Sequence, residues 1–217
     1  MNNIFAIISE CDISEYNIII MVGGVVVRIR SGRTLTYSVE SLPGGNFQRL
    51  KEMILYISEK CKDNDTYGAT KLNKILFHSD FRSFERRGKP ITGEVYQRLP
   101  MGPAPLRMCI ANGEMETNKE IEIMPCTYHD KKQRRTIPQR KANLDFFDVV
   151  DISIVDEVIK ELWEENATEV SRGSHGIAWR LCNDGDRIPY EAALLSESNI
   201  TDDHVKRAIE LAEKFGW

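Results

Sequence analysis

The chain has 217 residues, of which 29% are charged and 41% hydrophobic, with a net charge of -4 and a pI near 5.7. That leaves room for one domain with a sizeable core, or one domain plus an appendage, and excludes a global basic field that would recruit nucleic acid. The five cysteines, Cys11, Cys61, Cys109, Cys126 and Cys182, are scattered without a Cys-x-x-Cys pair. This argues against a metal knuckle or redox pair and for buried free thiols in a reducing compartment.

The longest apolar run, residues 18–27, is too short to span a bilayer as a helix. Acidic Glu10, Asp12 and Glu15 precede it, unlike the basic start of a signal peptide, so a cytoplasmic chain is expected. Met21 stands as an alternative start to Met1. Val25 to Arg30 and Thr34 to Val39 are β-branched segments around Ser31-Gly32, which predicts a hairpin. Leu42-Pro-Gly-Gly45 reads as a turn or linker, and the domain boundary is placed there.

Phe47, Leu50, Ile54, Ile57 and Cys61 share one helical face, predicting a helix over 46–61. The next helix is expected from Thr70, as N-cap, to Arg87, with Leu72, Ile75, Leu76 and Ser79 buried and Gly88 as its stop. Residues 89–105 then hold Gly93, Gly102, Pro90, Pro100, Pro103 and Pro105. Proline fixes φ and lacks an N–H, so this stretch reads as a rigid, specified path and not an interior strand throughout. Residues 94–99 are expected to be extended, and residues 104–111 helical with Leu106, Cys109 and Ile110 inward and Gly113 as the stop.

Glu120 to Met124 alternates like a strand that Tyr128 can extend. Lys131, Lys132, Arg134, Arg135, Arg140 and Lys141 form a basic run, read as a solvated loop or a landing site for an acidic partner. A helix is expected over 151–165, with Ile152, Val155, Ile159 and Leu162 aligned. Another is expected over 168–182, interrupted near Gly173. A turn at Asn183-Asp-Gly-Asp186 and a last helix capped by Thr201 complete the chain. The sum is five or six helices and a few strands that do not alternate with them. The fold class is α+β, a mainly helical compact domain at 46–217 with a small antiparallel sheet, plus a β-rich extension at 1–45.

Four basic side chains, Lys71, Lys74, His78 and Arg82, lie at spacings of 3, 4 and 4 on one helix face. They read either as a stripe for a partner's acidic surface or as a solvated face opposite the Leu72 stripe. Asp80 sits between Phe77 and Phe81, and a carboxylate there needs a cation or several N–H donors. It is expected to hold the proline-rich path by accepting its N–H groups. Trp179 and Tyr190 read as interface anchors or as seals over that path. The histidines show no His-Glu-x-x-His spacing, and adjacent Ser174-His175 cannot by themselves be a nucleophile and base. A cluster of His78, Asp80, His175 and Glu191 in space stays open as a metal or hydrolytic site, and core histidines satisfied by hydrogen bonds are the commoner case.

Lys71-Leu-Asn-Lys74 with Ile75-Leu-Phe-His-Ser-Asp80, Gly88-x-Pro-Ile-Thr-Gly93, and Tyr96-Gln-Arg-Leu-Pro-x-Gly-Pro-Ala-Pro105 together resemble the Panacea domain of SocA-like antitoxins. Ser174-His175, Trp179 and Ile188-Pro-Tyr-Glu191 continue the pattern in order, so the resemblance spans roughly 47–195. It implies an antitoxin that neutralises, by direct binding, a protein toxin encoded nearby. In some relatives it implies an adaptor that delivers the toxin to a protease. It implies no catalytic residue, cofactor or metal, and neither a membrane nor nucleic acid is an expected partner. Lys71, Lys74, His78, Arg82, Tyr96, Trp179 and Tyr190 are the expected partner-binding residues. Asp80, Gly93, Gly102, Pro103, Pro105, His175 and Pro189 are the expected framework of the motif.

Overall fold

The computed structural model describes residues 5–8, 17–22, 25–30, 42, 45–129, 131–180 and 182–194. These fall into two compact units, one holding three N-terminal strands and the other lying within Tyr37–Ala193. In the first, β1 (Phe5–Ile8), β2 (Asn17–Val22) and β3 (Val25–Arg30) form an antiparallel sheet in that order. Val25 to Arg30 pairs with the preceding strand, Val22 opposite Val25. The expected partner segment 34–39, the Ser31-Gly32 turn and the final helix from Thr201 lie outside the described residues.

The second unit is helix-rich α+β with small antiparallel sheets. Helix α1 (Asn46–Lys60) buries Leu50, Ile54 and Ile57 of the expected face, with Cys61 buried just past its end and Phe47 half-buried, and it buries Met53 and Leu55 beside them. Helix α2 (Ala69–Arg87) buries Leu72, Ile75, Leu76 and Ser79 and ends on Gly88, whose φ of 71° is the left-handed C-cap. Its start is a correction: Gly68, not Thr70, occupies the N-cap position and supplies no side-chain bond.

Two-residue strands β4 (Tyr96–Gln97), β5 (Ala104–Pro105) and β8 (Arg187–Ile188) form one small sheet with β4 central. Helix α3 (Met108–Thr117) begins later than expected and runs through Gly113. Its inward residues are Met108, Ala111 and Met115, while Leu106, Cys109 and Ile110 are exposed. The reason is that Ala104–Pro105 pairs with Tyr96–Gln97, so the helical phase is set from Met108 onward.

The basic run is another correction. Residues 131–138 are not a loop but strand β7 (Lys131–Pro138), paired in full register with β6 (Ile121–Tyr128). The ladder supplies the backbone partners that its poor β propensity would not suggest. Arg140 closes the ribbon's base, bidentate to buried Glu52 at 2.8 and 2.9 Å and 2.7 Å from Glu120.

Helix α4 (Val149–Glu161) starts earlier than expected, and Ile154 and Val158 join Val155 and Ile159 inside in place of Ile152 and Leu162. Its start is fixed by a capping box. Asp148 accepts from Asp151 N at 2.8 Å, and Asp151 accepts from Asp148 N at 3.0 Å. The expected 168–182 helix is two pieces, α5 (Ala167–Gly173) and α6 (Ile177–Arg180). The 183–186 turn closes through Asp186 N to Asn183 O at 2.9 Å. Among the described residues no helix is long and apolar enough to cross a membrane.

Asp148→Ala should lower stability by about 1 kcal/mol or somewhat more, because it removes the cap and an Arg87 partner 2.7 Å away. Urea unfolding followed by circular dichroism reads this directly, and an unchanged midpoint would refute it.

Candidate functional site

The site is built around residues 89–105, whose carbonyls are met by side chains from separate elements. Ser83 on α2 donates to Lys89 O at 2.8 Å, and Arg49 on α1 donates to Ile91 O at 2.7 Å. Asn46 donates to Gly93 O at 2.9 Å and the Tyr190 hydroxyl to Glu94 O at 2.6 Å. Trp179 Nε1 donates to Leu99 O at 3.0 Å, Ser171 to Met101 O at 2.9 Å, and Lys74 Nζ to Pro103 O at 2.6 Å.

Asp80 is the complementary anchor for N–H groups. Fully buried, it accepts from Ile91 N at 2.8 Å and Thr92 N at 2.6 Å, from the Thr92 and Tyr96 hydroxyls, and from Tyr190 OH at 3.3 Å. Burial pushes its pKa up, and the hydrogen bonds from Thr92, Tyr96 and Ile91 oppose that. Gly102 has a φ of 87°, and a Cβ there would fall on Ser174 Oγ and 2.9 Å from Lys74 Nζ. The approach of the loop to α2 therefore requires glycine.

The Lys71, Lys74, His78 and Arg82 row does not face solvent as a stripe. Lys71 and Lys74 are each 1% exposed. Lys71 Nζ donates to Thr66 Oγ1 at 2.5 Å and Trp163 O at 2.8 Å, which removes both the solvated-face and the surface-stripe readings for it. Burial brings the Lys74 pKa down to about 7. Burial, with Arg82 and Lys74 adding to it, brings His78 to about 4, so it is neutral at pH 7. Arg82 is half-buried and forks onto Glu161 at 2.8 and 2.6 Å, with Glu157 at 3.1 Å.

The other residues singled out in the sequence spread over the same scaffold. Tyr96 and Tyr190 are 1% and 5% exposed and meet at Asp80. Gly93 has a φ of 68°, and Pro105 pairs with Tyr96 in the small sheet. Buried Pro189 caps a 3-10 turn through its carbonyl, accepting from Ala192 N at 3.1 Å. His175 stacks on half-buried Trp179 at 4.0 Å between ring centroids, and Arg98 lies 4.0 Å over the same tryptophan. Among the described residues no three His, Cys, Asp or Glu side chains converge to hold a metal ion.

Sequence patterning missed a groove of about 1260 Å³. Its walls are the start of α2 at residues 68–70, the outer half of the β6–β7 ribbon, Met101, and residues 166–172. Arg172 and Met101 carry no local signal for it, since they come from other elements that meet only in the fold.

The family model of the antitoxin SocA-like Panacea domain matches residues 72–180, half of the chain. The chain belongs to that family. The matched region takes in Lys74, Asp80, Gly93, Gly102, Ser174, His175 and Trp179, while Lys71 and residues 188–191 lie outside it. No curated protein and no solved structure matches the chain. Within this Panacea domain, the matched motif side chains Lys74, Asp80 and Trp179 bond to the proline-rich loop.

Asp80→Ala strands two backbone N–H groups and the Thr92 and Tyr96 hydroxyls inside the Panacea domain. It should cost about 3 kcal/mol or more, well beyond Asp148→Ala, by urea unfolding. Lys74 gives a pH signature. Its ordinary pKa is 10.5 and its folded value about 7, so between those values the unfolded chain binds the extra proton. Its term therefore raises stability as pH rises from 7 towards 10.5. Lys74→Met removes that term, and the variant should fall behind wild type by up to about 1.4 kcal/mol per pH unit across this window. Parallel stability curves for the two proteins would contradict the assignment.

Proposed function

We propose that the chain is a cytoplasmic antitoxin that neutralises a protein toxin, encoded nearby, by direct binding. What carries this reading is the Panacea family match over residues 72–180. The interior supports it from another side. Two motif side chains that could have suggested chemistry are bonded to the loop backbone, Lys74 to Pro103 O and Asp80 to Ile91 N. In this reading residues 46–217 are the antitoxin domain, and the β-rich residues 1–45 add partner specificity. Half-buried Trp179, stacked against Arg98 and His175, is one contact point we assign to the interface. No cofactor takes part.

The test is co-expression with the product of the adjacent gene, reading growth and co-purification together. The neighbour should be toxic alone, and the chain should restore growth and co-purify with it. Restored growth with disappearance of the neighbour would replace blocking by delivery to a protease. A neighbour that is harmless, or that stays toxic beside the chain, would overturn the antitoxin reading.

A further inference from the structure

The groove beside the β6–β7 ribbon collects cations that the rest of the protein leaves without counterions. Lys131, Lys132, Arg134 and Arg172 all line it, all are exposed, and none has an ion pair among the described residues. By contrast, Arg82, Arg86, Arg87, Arg107 and Arg140 each have a carboxylate partner within 3.1 Å. Among the described residues Glu169 is the one carboxylate on the groove wall, and it accepts from Asn166 N at 2.7 Å at the start of its own helix. Buried Lys71 adds a fifth cation at the floor. In a chain of net charge -4, this is a local inversion of sign.

The walls are not purely electrostatic. Met101 is 57% exposed at one side, and Tyr128 stands at the ribbon's tip. The volume exceeds the roughly 300–1,000 Å³ of a small-molecule pocket. Among the described residues the ribbon has two strands, so β6 and β7 each keep one edge outside the ladder. Such an edge can take up the main chain of an extended segment, while side-chain pockets choose its sequence.

We infer that this groove receives an extended acidic segment of a protein partner, its carboxylates set against Lys131, Lys132, Arg134 and Arg172 and its apolar side chains against Met101 and Tyr128. With the antitoxin reading, on which this part rests, the segment belongs to the toxin. Charge complementarity selects the occupant. Interspersed apolar side chains, with the two wall rings Tyr128 and His129 packed edge to face on each other at 4.4 Å, favour a peptide over a polyanion that needs a row of aromatics to stack its bases.

The probe is a fluorescein-labelled peptide alternating glutamate and leucine, titrated with the full chain in fluorescence anisotropy. Wild type should bind it, with affinity falling as NaCl rises from about 50 to 200 mM. Lys131→Glu/Lys132→Glu/Arg134→Glu should weaken binding about ten-fold or more, and Lys119→Glu, exposed just before β6 at the opposite end of the ribbon, should leave it within about two-fold. Arg172→Glu, read alone, gives the same answer from a different element if the triple variant does not fold by circular dichroism. Equal binding by wild type and the charge-reversed variants, or no binding by wild type, overturns the inference. So does tighter binding of a single-stranded RNA that the same variants lose, which would assign the groove to nucleic acid. Variants that lose the peptide but still silence the toxin overturn its docking here and leave the antitoxin reading intact. Peptide capture with the expected sensitivity beside a harmless neighbour overturns the antitoxin reading and upholds the groove's choice of acidic segments.

Discussion

A buried chain segment must find a partner for every backbone carbonyl, and in residues 89–105 neither a helix nor a wide sheet is available to provide them. Four prolines break any ladder and remove four donors. The two-residue strands β4 and β5 meet only part of the need. Seven carbonyls are met by side chains, those of Ser83, Arg49, Asn46, Tyr190, Trp179, Ser171 and Lys74, from both sides of the sequence. An unsatisfied buried polar group costs about 1–3 kcal/mol, so several missing partners would outweigh the net stability of a typical domain. The placement of α1, α2, α5, α6 and the turn after Pro189 follows from this demand as much as from apolar packing.

Local signals made much of this legible. The faces of α1 and α2, the Gly88 stop and the 183–186 turn could all be read from spacing and turn chemistry. A carboxylate between Phe77 and Phe81 pointed to backbone donors in the following loop, and Ile91 and Thr92 supply them. The failures share a cause. Lys74 and Lys71 look like surface residues by charge, yet the carbonyls that hold them are 29 and 92 positions away. Periodicity placed Leu106 and Ile110 inside, because nothing local shows that Ala104–Pro105 is taken up by β4. The basic run could not be seen as a strand, since its partner ladder and not its composition makes it one.

The side chains that hold the loop interior and those of the proposed recognition surface are therefore different sets within the matched region. Side chains already bonded to the loop interior, Lys74 and Asp80 foremost, are not free to discriminate between partners. In the proposed reading, recognition falls to exposed side chains that the loop does not use: those of the ribbon, the outer end of α5 and Met101. One scaffold can thus serve different partners while its interior stays the same.

The β6–β7 ribbon has a last consequence, for the chain's behaviour in a crowded solution. A two-stranded sheet with open edges is a template for joining a second copy of itself, and such joining propagates into aggregates. Here three of the four residues nearest the tip of β7, Lys131, Lys132 and Arg134, are exposed cations. Two copies meeting along that edge would bring like charges together with no counterion between them, a repulsion that grows as water is squeezed out. If the groove takes the acidic segment inferred for it, the same three side chains that keep two copies apart also draw in chains of opposite sign.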